Sequence, residues 1–165
     1  MNRSDEPRAR PDRHHGRVLV VDDEASVRDW LEIYLRRSGH QPAVARDGEE
    51  ALRRVADEDF DLVLTDLKMP KVNGLDVLRA VKARSPSTEV VMITAFATTE
   101  TAIEAMKAGA YDYFRKPFDN DELVAVVRRA IESSRLACEN ERLSGELALS
   151  RTMVFSSERV GRSEC

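Results

Sequence analysis

The sequence predicts one α/β domain, in which helices cover both faces of an open, doubly wound sheet of five parallel strands, followed by a C-terminal helical extension. Short apolar runs alternate along the chain with longer segments whose apolar residues have helical spacing. The runs at 18–21 and 90–93 are continuously apolar, which is typical of strands buried on both faces. A length of 165 residues with 42% hydrophobic residues is sufficient for one such core.

The elements are predicted in chain order from these patterns. The first helix, over 25–38, places Gly39 where a helix-terminating glycine is expected, and Asp47 is expected to cap the second. The predicted strands are 18–21, 41–45, 62–64, 90–93 and 110–114. The later helices are marked by Ala51, Leu52 and Val55; by Leu75, Leu78 and Val81; by the segment 99–108, closed by Gly109; and by Leu123, Val126, Val127, Ala130 and Ile131, starting near Asp119.

Both ends of the chain differ from this pattern. Residues 1–16 are polar and aperiodic and are predicted to be a disordered tail, with His14 and His15 lacking partners for a metal site. Residues 135–150 are predicted to form a linker helix, and those after Ser150 a second disordered tail. A possible short parallel coiled coil rests on Leu136, Asn140, Leu143 and Leu147, which alternate between d and a heptad positions. A solvated helix is the alternative.

Composition excludes several classes of protein. The net charge of −4 provides no overall positive field for nucleic acid. The apolar runs are too short to span a bilayer, and the N-terminal residues lack the apolar core of a secretory signal. We therefore expect a cytoplasmic protein.

Polar side chains follow four of the predicted strands. Asp22 and Asp23 follow the first, Asp66 the third, Thr94 ends the fourth and Lys116 follows the fifth. Since the carboxyl ends of parallel strands meet at one edge of a sheet, these groups are expected to share one crevice. Taken singly, each has an ordinary alternative: a helix cap for Asp22 or Asp23, a turn for Asp66, a strand position for Thr94 and a solvated lysine for Lys116.

Three neighbouring carboxylates need a cation or a proton. At a separation of about 4 Å and an effective dielectric constant near 20, each pair repels by about 4 kcal/mol. An oxygen-only ligand set drawn from separate strands favours Mg²⁺ over Ca²⁺ or Zn²⁺. An aspartate needs no general base to act as a nucleophile at neutral pH. The residues therefore indicate a Mg²⁺-dependent acyl-phosphate site on Asp66.

Four separated motifs carry a family resemblance. Val20-Val-Asp-Asp, Leu64-Thr-Asp-Leu-Lys-Met-Pro, Met92-Ile-Thr-Ala and Phe114-Arg-Lys-Pro-Phe occur in this order. Residues 17–134 resemble the receiver domain of two-component response regulators. The resemblance implies a flavodoxin-like sheet of strand order 2-1-3-4-5 and a sensor histidine kinase as partner.

The resemblance also assigns roles to individual residues. Asp66 would accept the phosphoryl group, Lys116 would pair with it and Thr94 would hydrogen-bond one of its oxygens. Tyr113 matches the aromatic switch position, although an ordinary core aromatic is the alternative. The remaining implied roles are Mg²⁺ binding by Asp23, Asp66 and the Lys68 carbonyl, with Asp22 acting through water; phosphoryl contacts from the amides of Leu67 and Ala95; and a cis bond before Pro117.

A finer resemblance is to receivers of NtrC-type enhancer-binding transcription activators. Residues 139–143 and 160–164 are similar to the linker and first residues of their ATPase domain. The chain contains no G-x-x-x-x-G-K-[ST] motif, so we expect neither P-loop ATP hydrolysis nor direct DNA binding from it. It is then either part of an activator or a single-domain regulator, and a homodimer through the final helix and linker is expected.

Three rival functions remain. An aspartate-nucleophile phosphatase of the haloacid-dehalogenase type would carry an acidic residue at position 68, where this chain has lysine. A dinucleotide-binding enzyme would need G-x-G-x-x-G after the first strand. A phosphorylation-independent interaction module is the third. Lys68 and Phe96 are expected to tune the lifetime of the phosphoryl group, in a direction that the sequence does not give.

Overall fold

The computed structural model describes residues 16–152, with side-chain surroundings for residues 16–143. Strands and helices alternate throughout this part of the chain. The strands are β1 (Arg17–Val21), β2 (Gln41–Ala45), β3 (Leu62–Thr65), β4 (Glu89–Thr94) and β5 (Asp112–Arg115). The helices are α1 (Ala25–Arg37), α2 (Gly48–Asp57), α3 (Gly74–Arg84), α4 (Thr99–Lys107) and α5 (Asn120–Thr152). Residues 1–15 and 153–165, which make up most of the tails predicted for 1–16 and 151–165, lie outside the described residues, whereas residues 151 and 152 belong to α5.

The five strands form one parallel sheet in the order β2-β1-β3-β4-β5. This confirms the predicted fold class and strand order. In the register, Val21 at the end of β1 lies opposite Ala45 of β2 and Thr65 of β3. The residues that follow β1 and β3 therefore emerge side by side at one edge of the sheet.

Two hydrophobic cores lie on opposite faces of the sheet, because successive side chains of a strand point to opposite faces. Leu19 and Val21 belong to a core completed by buried residues of α2, α3 and α4. Val18 and Val20 belong to a second core completed by residues of α1 and α5. The continuously apolar strands of the sequence thus reflect burial from both sides.

Local hydrogen bonds fix the ends of several elements. Asp47 caps α2 as predicted, since its side chain accepts a hydrogen bond from the Glu50 amide. Gly39 follows α1 with a φ of 93°, a left-handed conformation that favours glycine. β5 begins two residues later than predicted, because the Ala110 amide still bonds to the carbonyl of Ala105 at the end of α4, at 3.0 Å.

The N-terminal boundary also differs from the prediction. Gly16, which the sequence assigned to the tail, is buried, and its carbonyl accepts a hydrogen bond from the Gln41 amide at 2.9 Å. At the other end, α5 continues without a break through the predicted linker helix to Thr152. Within the described residues, no helix is both long and apolar enough to cross a membrane.

Candidate phosphoryl-acceptor site

Three aspartates meet at the carboxyl edge of the sheet. The Asp66 amide donates to the Val21 carbonyl at 2.9 Å, which places Asp66 beside the residues that follow β1. Asp22, Asp23 and Asp66 each present a carboxylate oxygen within 4.8 Å of the other two. Asp22 and Asp66 are buried, with 3% and 7% exposure, whereas Asp23 is exposed. The crevice therefore has two enclosed carboxylates and one facing its mouth.

Lys116 brings a positive charge to these carboxylates from beyond β5. Its amide donates to the Thr94 carbonyl at 2.9 Å, which continues the pairing of β4 with β5, and its peptide bond to Pro117 is cis. Its Nζ lies 3.0 Å from Asp22 Oδ2 and 3.5 Å from Asp66 Oδ2. Glu24 Oε1 is 4.0 Å away. Glu24, for which no role was predicted, thus extends the predicted acidic pair Asp22-Asp23.

Burial and neighbouring charges raise the pKa values of both Asp66 and Lys116. The shift disfavours the charged form of Asp66 and favours the charged form of Lys116. Desolvation, together with the charge of Asp22, raises the pKa of Asp66 despite the opposing effects of Lys116, the Leu67 amide and Thr94. Desolvation lowers the pKa of Lys116, but its hydrogen bond to Asp22 and the surrounding carboxylates outweigh burial and raise it. Lys116 is thus held as a cation beside Asp66, whose negative charge its neighbours do not fully stabilise against burial.

The remaining predicted site residues lie where β3 and β4 end and in the loops that follow these strands. Asp66 Oδ1 accepts a hydrogen bond from the Leu67 amide at 2.7 Å, so this amide already faces the carboxylate. Thr94 is fully buried, and its hydroxyl accepts a hydrogen bond from the Phe96 amide at 3.0 Å. Ala95 follows Thr94 and is exposed. The exposed Lys68 places its ammonium 5.1 Å from the centre of the Phe96 ring.

Residues outside the predicted set orient the two buried aspartates. Arg28 Nη1 donates to the Asp22 carbonyl at 2.8 Å, and Thr65 Oγ1 donates to the Asp66 carbonyl at 2.9 Å. Asp22 Oδ1 accepts the Glu24 amide at 2.9 Å, whereas the residue in the cap position of α1 is Glu24 itself, without a side-chain cap. The capping alternative for Asp22 and Asp23 therefore does not describe their geometry.

Gly74 is a further residue that the sequence analysis did not single out. A Cβ at this position would lie 2.2 Å from the Asp66 carbonyl oxygen and 2.9 Å from Leu67 Cα. Its amide donates to the Leu67 carbonyl at 2.8 Å. Only glycine allows the start of α3 to approach the Asp66 peptide so closely. The only sequence signal was its place after Asn73, the residue that caps α3.

Tyr113 lies apart from the acidic cluster, on β5. Its side chain is partly buried and packs against the core shared with α2, α3 and α4. Its hydroxyl lies 2.5 Å from Thr101 Oγ1, in the first turn of α4. The aromatic position identified from the sequence is thus joined directly to a helix that follows the Thr94 loop.

The fold and this site define a receiver, and comparison with known proteins agrees. The family model described as "Response regulator receiver domain" matches residues 18–128. The chain therefore belongs to the response regulator receiver family, and the relatives described below are NtrC-type response regulators.

Two curated relatives show the level of similarity. The chain is 37% identical over 148 residues to a "Putative response regulator NtrX-like" of Rickettsia bellii (strain RML369-C), covering 88% of this chain and 30% of that protein. It is 39% identical over 134 residues to "Regulatory protein AtoC" of Escherichia coli (strain K12), covering 81% and 29%. The chain thus spans less than a third of the length of these relatives.

Solved structures give the same result. A receiver domain protein from Clostridium thermocellum is 34% identical with a TM-score of 0.70, covering 73% of this chain and 98% of that one. NtrX from Brucella abortus is 37% identical with a TM-score of 0.72, covering 79% of this chain and 30% of that one. Both similarities concern the domain that holds the acidic cluster.

Proposed function

We propose that this chain accepts a phosphoryl group on Asp66 from a sensor histidine kinase in a Mg²⁺-dependent reaction and reports the modification through Thr94 and Tyr113. The observation that carries this proposal is the placement of Asp66: a buried carboxylate with Lys116 Nζ at 3.5 Å and two further carboxylates within 4.8 Å. We expect the reaction to occur in the cytoplasm, where ATP is available to charge a kinase.

The donor set fits a magnesium ion. All three clustered side chains offer carboxylate oxygens, the ligands that Mg²⁺ prefers, and the exposed Asp23 leaves room for retained water. Asp23, Asp66 and the Lys68 carbonyl would hold the ion, with Asp22 acting through water. When bound, the ion would neutralise charge on the phosphoryl oxygens and on the cluster.

The proposed transfer is a nucleophilic substitution at phosphorus. A carboxylate oxygen of Asp66 forms the new P–O bond while the P–N bond to the donor imidazole breaks, and the imidazole nitrogen leaves with the bond's electron pair and takes up a proton. Lys116 stabilises the oxygens of the transferred group, because its ammonium is already within 3.5 Å of the acceptor. The amides of Leu67 and Ala95 and the hydroxyl of Thr94 complete the surrounding donors.

A conformational response follows from the added charge. Phosphorylation brings about two negative charges and three acceptor oxygens to Asp66, and the Thr94 hydroxyl would hydrogen-bond one of these oxygens. Movement of Thr94 toward the phosphoryl group would open space for the ring of Tyr113. The response is a shift of population, limited by how much better the phosphoryl group stabilises one arrangement than the other.

We further propose that the chain dimerises through α5, including its linker part at 135–150, and that the dimer controls a transcription output. α5 is continuous from Asn120 to Thr152, and Leu136 and Leu143, seven residues apart, are 44% and 47% exposed. This spacing places both on one stripe of the helix, as a two-stranded coiled coil requires. The predicted contribution of Leu147 lies outside the described side chains.

Turnover separates this function from its rivals. The chain is incubated with acetyl phosphate and Mg²⁺, and phosphate release is counted per protein molecule alongside D66N, which removes the nucleophile at constant shape. A single transfer followed by slow loss, absent in D66N, supports a receiver. Sustained release over many cycles would instead indicate a hydrolase, and no transfer to either protein would indicate a binding module.

A further inference from the structure

The hydroxyl of Tyr113 enters the cap of the neighbouring helix. Thr98 is the N-cap residue of α4 and forms a reciprocal capping box with Thr101. The Thr101 amide donates to Thr98 Oγ1 at 3.0 Å, and the Thr98 amide donates to Thr101 Oγ1 at 3.0 Å. The Tyr113 hydroxyl also contacts this Thr101 hydroxyl, at 2.5 Å.

The direction of this bond depends on where the Thr101 hydroxyl donates its proton. A threonine hydroxyl has one proton and two acceptor lone pairs. Thr101 Oγ1 lies 3.1 Å from the Thr98 carbonyl, which can only accept. If Thr101 donates there, its two lone pairs accept from the Thr98 amide and from Tyr113, and Thr98 Oγ1, also 3.1 Å away, is then a contact without a hydrogen bond. In this arrangement Tyr113 is the donor and Thr101 the acceptor.

We propose that Thr101 is a positioning residue for Tyr113, so that the orientation of the Tyr113 ring and the integrity of the α4 cap are coupled. Displacement of the tyrosine hydroxyl removes one of the acceptor contacts of the Thr101 hydroxyl and loosens the first turn of α4. The coupling goes beyond the proposed phosphorylation, because the hydrogen bond is present in the unmodified chain.

The coupling gives the tyrosine an effect at the protein surface. Ile103 and Met106 follow Thr101 on α4 and are 50% and 48% exposed. Both lie within two helical turns of Thr101, so a change in the first turn alters how they are presented. A residue on β5 can thereby change an apolar surface on α4 without contacting a partner itself.

Single-atom substitutions isolate the bond. Y113F removes the tyrosine hydroxyl and leaves both residues of the capping box, Thr98 and Thr101, unchanged. T101V removes the acceptor at nearly constant shape, and T101S restores a hydroxyl. The matched controls are Y111F, since Tyr111 packs against the opposite core, and T99V, since Thr99 is an exposed threonine of the same helical turn.

Amide hydrogen exchange, measured by NMR on the unmodified full chain, reports the stability of the first turn of α4. The informative amides are those of Thr101 and Ala102, which donate to Thr98 at 3.0 Å. We expect Y113F to accelerate exchange at these amides about 2- to 10-fold, the range of one ordinary hydrogen bond, while Y111F leaves it unchanged. T101V should accelerate it at least as much and T99V should not. Adding Y113F to T101V should have no further effect.

A second signal separates positioning from mere helix stability. The ring resonances of Tyr113 should shift in T101V and return in T101S, because only a hydroxyl at position 101 holds the tyrosine. Equal exchange in Y113F and Y111F, additive effects in the double variant, or unmoved Tyr113 resonances in T101V would each overturn the proposal. The outcome is independent of whether Asp66 accepts a phosphoryl group.

Discussion

Lys116 donates a hydrogen bond to Asp22, 94 residues earlier in the chain, at 3.0 Å, and lies farther from Asp66, at 3.5 Å. The principal partner of the Lys116 ammonium is therefore Asp22 rather than Asp66, the proposed acceptor. To contact a phosphoryl group on Asp66, it would need to exchange its hydrogen bond to Asp22 for one to the phosphoryl oxygens. This arrangement makes Lys116 the first residue to test.

Replacing Lys116 by methionine removes this charge and keeps the length of the side chain. The buried carboxylates then lose their cation, and the transferred group loses its nearest positive charge. We expect the rate of Asp66 labelling by acetyl phosphate to fall at least about 10-fold, within the range of losing one charged stabilising group. K116R, which keeps the charge, should lose less. Equal rates in K116M and the parent would contradict the role of Lys116.

Magnesium should stabilise the folded chain through the acidic cluster. An ion that binds only the folded state raises the free energy of unfolding, by about 2.7 kcal/mol at a hundred-fold excess over its Kd. Thermal unfolding with and without Mg²⁺ measures the effect. We expect D23N and D66N to lose most of the shift, whereas D29N, a change at an exposed carboxylate on α1, should keep it. A shift of the same size in all four proteins would place the ion elsewhere.

Gly74→Ala should damage the site through the backbone. Its Cβ would lie 2.2 Å from the Asp66 carbonyl oxygen, so the Asp66–Leu67 peptide must move. We expect a loss of unfolding free energy of about 2–3 kcal/mol, measured by urea unfolding, together with reduced labelling. G109A is the control: it strains a residue with φ of 106° but meets side-chain atoms only at 3.5 Å or beyond. Normal labelling in G74A would show that the close approach does not position Asp66.

Lys68 and Phe96 should lengthen the life of the phosphoryl group. Their side chains are in contact, 5.1 Å from ammonium to ring centre, and join the two loops that follow β3 and β4. An exposed contact of this type contributes about 0.5–1 kcal/mol, so K68A and F96A should accelerate loss of the phosphoryl group about 2- to 5-fold by admitting water. F96Y keeps the ring and should resemble the parent. Unchanged or slower loss in F96A would oppose this direction.

The linker part of α5 should hold two chains together. Light scattering compares the 1–165 chain with a version that ends at Ser134, and we expect only the longer one to dimerise, with phosphorylation altering the arrangement. L136Q together with L143Q should weaken the dimer, since the two exposed leucines share a stripe. E139Q together with R142Q changes neighbouring exposed residues and should not. Monomers in both chain lengths, with and without a phosphoryl mimic, would exclude the dimer.

Much of the fold was predictable because the sheet is parallel and buried on both faces. Continuous apolar runs located β1 and β4, and Gln41–Ala45 was found with its observed bounds. The order of the sheet came from the family resemblance. The start of β5 was predicted too early because Ala110 is apolar, although its amide bonds back to α4. An apolar pattern alone does not distinguish the end of a helix from the start of a strand.

The acidic cluster was predictable for a topological reason. Parallel strands bring the residues after β1 and β3 to the same edge, and this alone places Asp22 beside Asp66. Gly74 and Thr101 were not predicted. The role of Gly74 depends on a close approach between two backbone segments, and that of Thr101 on the position of the Tyr113 hydroxyl. Such contacts are set by three-dimensional packing, which leaves no periodic signal in the chain.

The most direct measurement of the central claim is the intact mass of the chain after exposure to acetyl phosphate, with and without Mg²⁺, followed by mapping of the modified peptide. The account predicts a gain of one phosphoryl group that requires Mg²⁺ and maps to Asp66. No gain in mass, a gain that is independent of Mg²⁺, or a modification on another residue would contradict it.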